Sequence, residues 1–386
     1  MLGRGDLRRW AALAVVGSLL AGCPEVPRPA LPPDPGDRGT EPQLDPEPGG
    51  SSRAPRTDAG RPYVGERVQV VEKAMGTRVI LAGYTAENLD EDAVRTALGE
   101  ALGEIRRLER LMTTWRDDSD ISRLNAKAGD GPVKMSPETF EVLQKSLWIG
   151  DRSEGTFDIT FASMGKLWSF DEQVSTTIPD AATLEAARKK IDYRKVVLDA
   201  EAQTARLESP DTRVNLGGIA KGYAIDRAAA VLRKAGLKSF FAQAGGDLYV
   251  EGRKPDQSPW RVGIRDPRGK DGTYFALIGV ENHAFSTAGD YERGFVKEGK
   301  RYHHIIDPRT GYPATASRSV TIWAKDALTA DAIDDAVFIL GVEKGMALVE
   351  SIEDCGAVIV DAQNQVHISP RLKDLVQVIA KPSEGI

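Results

Sequence analysis

Between residue 24 and about residue 62 the chain carries half of its 22 prolines, mixed with Gly, Asp, Glu and Ser. Proline fixes φ and removes an amide donor, so this stretch cannot build a core. It reads as a disordered, semi-extended tether reaching up to ~3 Å per residue. Whatever folds must lie beyond it, from residue 63 to residue 386. Those roughly 320 residues suffice for one large domain or two fused lobes. The only cysteines are Cys23 and Cys355. If Cys23 is committed elsewhere, no intramolecular disulfide is available and the fold must rest on its core. A formal charge of −6 argues against a nucleic-acid binder, which usually shows a basic surplus.

Ahead of the tether, Arg4, Arg8 and Arg9 precede a short apolar run over 10–20. That run is too short to cross ~30 Å of hydrocarbon and reads as a secretory signal. It ends in Leu20-Ala21-Gly22-Cys23, which resembles a bacterial lipobox. Small side chains admit the processing peptidase, and the Cys23 thiol carries the lipid. Several acyl chains on one cysteine anchor stably where a single chain does not. The chain therefore divides into a signal peptide (1–22), a lipidated tether (23–62) and a folded domain (63–386). Pro24 and Glu25 stand where an Asp would retain a lipoprotein on the inner membrane. This favours an anchor in the outer membrane, facing the periplasm.

Within the domain, apolar residues recur at helical spacing over 89–112: Val94, Leu98, Leu102, Ile105, Leu108 and Met112. A second helix is expected around Phe140, Leu143 and Leu147, a third over 221–235 and a fourth over 331–352. Two short strands flank Ala74-Met75-Gly76-Thr77. Further strand-like runs cover 195–198, 240–243, 248–251, 260–264, 274–280, 319–323 and 357–360. Helices and strands interleave irregularly, with no repeated βα unit and no internal repeat, so the expected class is α+β, as one large domain.

Three blocks could carry chemistry. Asp331, Asp334 and Asp335 would share one face if a helix begins at Asp331. This suits either an acidic first turn or a hard-cation site of the kind Mg²⁺ prefers. No Cys or His pair has zinc spacing. The segment Val214-Asn215-Leu216-Gly217-Gly218-Ile219-Ala220-Lys221-Gly222-Tyr223 leads glycines into a helix, where backbone can approach an anion and a lysine can meet phosphate. It is not a Walker A loop, and a tight structural turn would look the same. In Tyr302-His303-His304-Ile305-Ile306-Asp307-Pro308-Arg309-Thr310-Gly311, two of the chain's four histidines precede a turn signal. In extended backbone they point to opposite faces, so at most one can serve a site as a base. Trp115, among polar neighbours, and Thr156-Phe157-Asp158 add an aromatic plane and a carboxylate.

Together these blocks resemble the ApbE family of FAD:protein FMN transferases, over about residues 68–379. The landmarks follow in family order: Met75-Gly76-Thr77, Ser119 with Ser122-Arg123-Leu124-Asn125, Phe157-Asp158-Ile159-Thr160, the block from Gly217 to Tyr223, Ala244-Gly245-Gly246-Asp247, Ser286-Thr287-Ala288-Gly289-Asp290, the block from His304 to Gly311, and Ala330-Asp331-Ala332. The resemblance implies a Mg²⁺-dependent enzyme that moves the FMN half of FAD onto a Thr or Ser hydroxyl of an acceptor protein and releases AMP. The acceptors expected are membrane redox subunits. By position, Met75, Trp115, Thr156, Phe157, Asp158, Asn215, Lys221 and Ile305 would line the FAD site. Asp331, Asp334, Asp335 and the Gly218 carbonyl would hold Mg²⁺, and His304 would be the base. Many relatives carry Thr in place of Asp335, and often Asp in place of Asn215. Two rival readings remain: a Mg²⁺-dependent FAD pyrophosphatase giving FMN and AMP, and a non-enzymatic, lipid-tethered FAD-binding protein.

Overall fold

The computed structural model describes residues 65–170 and 175–386, together with the backbone of Gln43–Leu44. The signal peptide, Cys23 and all of the tether except Gln43–Leu44 lie outside the described residues. Gln43 and Leu44 pair antiparallel with Gly263 and Val262.

The architecture is α+β. Its centre is an eight-stranded antiparallel sheet in the spatial order Val366–Ile368, Cys355–Asp361, Ser317–Ala324, His283–Gly289, Asp247–Glu251, Phe240–Ala244, Thr77–Tyr84, Arg67–Ala74. Side chains alternate between faces along each strand. Leu81, Ala242, Tyr249, Ala284, Ile322 and Ile359 point to one core, and Ala82, Phe241, Val250, Phe285, Trp323 and Val360 to the other. Helices cover the first face. The second is closed by the strands Trp260–Arg265 and Tyr274–Val280 of a smaller sheet.

The helices are α1 (Glu91–Met112), α2 (Asp120–Ala126), α3 (Pro137–Arg152), α4 (Ala181–Arg188), α5 (Ala220–Lys234) and α6 (Ala327–Glu350). The apolar stripe expected along 89–112 is buried in α1, joined by Ala97 and Ala101. The fourth helix begins earlier than the sequence reading places it. Asp326 caps it by accepting from Thr329 N–H at 2.7 Å, and Asp226 of α5 accepts from Ala327 and Leu328 N–H at 2.8 Å each. Those carboxylates satisfy the donors that a helix start leaves open. Asp331 therefore stands in the second turn and Asp334 and Asp335 in the third, rather than at the terminus. α6 is interrupted at Gly341, whose φ of 75° only glycine adopts readily.

Several elements escape simple periodicity, and three of them bear on the site. The strand His283–Gly289 lies at the centre of the large sheet. The helix α2 starts at the Ser119 cap. A separate hairpin, Gly294–Lys297 with Lys300–His303, leads straight into His304. That hairpin is seated by Phe295 and Tyr302, which stack on each other at 5.2 Å and meet Phe170 and Trp168 at 6.0 Å.

Candidate active site

The site forms where α5, α6 and two central strands meet on the helix-covered face. Gly222 on α5 lies so close to α6 that a Cβ there would fall 2.2 Å from the Ala327 carbonyl oxygen. Its N–H donates to Asp331 Oδ2 at 2.8 Å. Lys221, one residue earlier, places Nζ 3.1 Å from Asp331 Oδ1 and 3.1 Å from Asp247 Oδ2. Asp247 begins the strand after the Gly245-Gly246 turn. Ser286, on the neighbouring strand, donates toward Asp247 Oδ1 and lies 2.5 Å from Asp334 Oδ2. One hydroxyl has one proton, so the second of these contacts requires either a carboxyl proton or a cation.

Asp247, Asp331 and Asp334 are buried, and one carboxylate oxygen from each falls within 4.8 Å of the others. Burial is the main force raising the pKa values here, reinforced by mutual repulsion. Asp247 is pushed up to about 7 by burial and by Asp331. Asp334 is driven well above the usual carboxylate range by burial, Asp335, Asp331 and Asp247. Asp335 rises to about 6 through burial, with Lys221 opposing. Burial alone would lower the Lys221 pKa, but Asp247, Asp331 and Asp334 outweigh it and hold the ammonium charged. Four carboxylates thus face one lysine. Asp247 Oδ2 is buried, and its close partner is the Lys221 ammonium at 3.1 Å. An all-oxygen set with surplus negative charge fits a hard divalent cation.

Asp247 and Ser286 were landmarks in the sequence but not ligand candidates. Their signal was present in Ala244-Gly245-Gly246-Asp247 and Ser286-Thr287, yet only the sheet brings them to α6. Asp335 sits on the other side of the cluster, where its Oδ2 would lie 3.7 Å from a Cβ on Gly218 and the Phe157 ring 3.5 Å from it. The loop before α5 is braced by Asn215, whose N–H donates to the Ile159 carbonyl at 2.9 Å and whose Oδ1 accepts from Gly217 N–H at 2.7 Å. The α5 N-cap, Ile219, offers no side-chain hydrogen bond; instead the Leu216 carbonyl accepts from Ala220 N–H and Asp331 from Gly222 N–H, so most donors of the first turn are already satisfied.

The other candidates have distinct settings. Thr156 is buried, with Oγ1 donating to the Ser153 carbonyl at 2.9 Å. The Asp158 carboxylate already accepts from Thr160 N–H, Thr160 Oγ1 and Tyr193 N–H at 2.6–2.9 Å. It caps the short helix Ile159–Met164, and burial raises its pKa despite those donors. Met75 touches the last turn of α1 through Glu109, and Trp115 follows that helix. Met75 occupies a hairpin turn at φ 54° and donates its N–H to Glu109 Oε1 at 2.7 Å. Trp115 follows α1 with its side chain open to solvent, 92% exposed.

The adjacent histidines divide their roles. His303 is buried, its Nε2 2.8 Å from the Ala314 carbonyl and its Nδ1 accepting from Ile305 N–H at 3.3 Å. Ile305 itself is buried. His304 anchors its N–H on the Arg293 carbonyl at 3.1 Å, while its Nδ1 is buried with no partner. Burial, with the charges of Arg293 and Lys221 nearby, pushes its pKa down to about 3, so the ring stays neutral. The neutral ring keeps a free nitrogen able to accept a proton, while the burial that holds it neutral also weakens its affinity for that proton.

The profile of the ApbE family matches residues 75–359. The chain is 33% identical over 324 residues to a FAD:protein FMN transferase of Treponema pallidum, covering 80% of this chain and 88% of the relative. It is 33% identical over 284 residues to one of Klebsiella pneumoniae, covering 72% and 79%. Among solved structures it resembles an ApbE protein of Thermotoga maritima, with a TM-score of 0.72, 30% identity, and 80% and 99% coverage. It also resembles the flavin transferase ApbE of Vibrio cholerae, with a TM-score of 0.72, 26% identity, and 81% and 99% coverage.

Proposed function

The chain belongs to the ApbE family of flavin transferases, and on that premise we propose that it transfers the FMN moiety of FAD, with Mg²⁺, to a threonine or serine hydroxyl of an acceptor protein. What carries the reading is the meeting of α5 with α6: Lys221 in the first turn of α5 on one side, the Asp247–Asp331–Asp334 oxygens on the other.

In this reading Asp331 and Asp334, with Asp247, Asp335 and the Gly218 carbonyl as further oxygen donors, hold the cation. Bound Mg²⁺ supplies charge neutralisation on the pyrophosphate oxygens. Lys221, in the first turn of α5, adds a positive charge toward the diphosphate. His304 takes the proton from the acceptor hydroxyl, whose oxygen bonds to the FMN phosphorus. The bond from that phosphorus to the bridging oxygen breaks, and AMP leaves. Trp115, Met75 and Phe157 offer apolar surface to the flavin, with Thr156, Asp158, Asn215 and Ile305 shaping the same pocket.

The test uses purified protein, FAD, Mg²⁺ and a candidate acceptor domain. Transfer gives a fluorescent flavin band on a denaturing gel together with AMP. AMP without a labelled acceptor would favour the pyrophosphatase, and flavin binding without AMP the storage protein. We further propose export and lipid attachment at Cys23, an outer-membrane anchor facing the periplasm, and acceptors among membrane redox subunits. Confining enzyme and acceptor to membrane surfaces raises their effective concentration. Metabolic labelling with palmitate should mark the chain and be lost in Cys23→Ser; an unlabelled wild-type chain would end the anchor reading.

A further inference from the structure

Lys221 stands among the oxygens suited to a cation. Its Nζ is 3.1 Å from both Asp247 Oδ2 and Asp331 Oδ1, two of the three carboxylates that converge. As a partner it is incomplete. Its hydrogen bonds run to Asp331 Oδ1 at 3.1 Å and to the Gly217 carbonyl at 3.2 Å. Toward Asp247 Oδ2, also at 3.1 Å, the ammonium is poorly aligned for a hydrogen bond and acts mainly through its charge.

A Mg²⁺ ion needs oxygens at about 2.0–2.1 Å. It cannot share this gap with an ammonium, because two cations a few ångströms apart repel strongly where water is scarce. Lys221 has a way out. Its side chain is 25% exposed, and it stands in the first turn of α5.

We propose that Lys221 is the internal stand-in for the divalent cation: cation binding expels its ammonium from between Asp247 and Asp331, and the freed ammonium then binds phosphate at the start of α5. This rests on the Mg²⁺-dependent reading above. It makes the site self-arming. The cation-free protein keeps its phosphate-binding charge stored against its own carboxylates, and loading the cation releases it. Cation and FAD then bind with positive coupling, which must be reciprocal.

The primary test uses the wild-type full chain. Lysines are acetylated with acetic anhydride and read by mass spectrometry in three states: with chelator, with saturating Mg²⁺, and with Mg²⁺ plus FAD. Acetylation of Lys221 should rise several-fold on adding Mg²⁺ and fall again with FAD, while lysines away from the site stay constant. Calorimetric titration with Mg²⁺ in the absence of FAD reads cation binding separately. Binding without any change at Lys221 overturns the displacement alone. No binding overturns the displacement together with the metal reading beneath it. As a second arm, Lys221→Met should bind Mg²⁺ about tenfold more tightly without FAD, within the usual range of coupling between sites. Its FAD affinity should gain less from Mg²⁺ than that of the wild type. Equal or weaker Mg²⁺ binding by folded Lys221→Met overturns the proposal, and if the variant does not fold, the wild-type labelling decides.

Discussion

Gly222 donates its N–H to Asp331 Oδ2 at 2.8 Å and leaves no room for a side chain, since a Cβ would meet the Ala327 carbonyl at 2.2 Å. The contact sets how closely α5 approaches α6 and so where Lys221 lies against the carboxylates. Gly222→Ala should destabilise the fold by about 1–3 kcal/mol or more, as overpacking does, even though alanine favours helix. Denaturant unfolding measures this, and an unchanged midpoint would show that the helices can part freely.

Chelation should stop AMP release and added Mg²⁺ should restore it. Asp331→Asn should weaken the cation requirement's structural base twice over: a ligand charge is lost, and Gly222 N–H loses a charged acceptor at a cost of roughly 1–3 kcal/mol. Mg²⁺ titration and thermal unfolding read the two effects separately. A variant with wild-type Mg²⁺ affinity would remove Asp331 from the metal site.

His304→Ala should retain FAD binding and lose transfer by about 10²–10⁴-fold, the usual contribution of a positioned base. With a pKa near 3, the ring is neutral throughout pH 5–8. The transfer rate should therefore show no falling limb near pH 6.5 from this group. His303→Ala should act differently, through stability, because its ring ties Ile305 to Ala314. A pH–rate profile and a melting curve for each variant distinguish the two.

Asp226 holds the first amides of α6, and burial pushes its pKa from 3.8 up to about 7, against the pull of those two donors. Below pH ~4 both folded and unfolded chains hold this proton; between ~4 and ~7 only the folded chain does. Its contribution to stability is therefore complete at low pH and lost as pH rises through about 7. Asp226→Asn should flatten the stability profile across that window. A profile with the same slope in wild type and variant would assign the pH dependence elsewhere.

Trp115→Ala should raise the dissociation constant for FAD while leaving the unfolding midpoint nearly unchanged. The indole is 92% exposed, and surface substitutions of this kind usually shift stability by less than about 0.5 kcal/mol. Flavin fluorescence titration checks the first expectation.

The α1 stripe, the Met75-Gly76 hairpin and most strands of the large sheet were legible because local periodicity and turn chemistry agree with their burial. The strand His283–Gly289 was not, although it is central. Its sequence, HAFSTAG, mixes small and polar residues because Ser286 faces Asp247 and Asp334. The start of α6 was misplaced for a related reason. The signal for Ala327 lies in Asp326 and in Asp226, a hundred residues upstream.

By itself the sequence determined the class of fold, the family, that Asp331, Asp334 and Asp335 fall close together along one helix, and that two adjacent histidines in extended backbone point apart. These follow from periodicity, residue type and order, which are properties of the chain. Tertiary structure decided which groups share a space: Asp247 and Ser286 joining α6, Lys221 lying between two carboxylates, His303 held in the core while His304 keeps a free nitrogen. Such pairings depend on sheet register and helix approach over long sequence separations, where burial and charge act between residues that no local pattern connects.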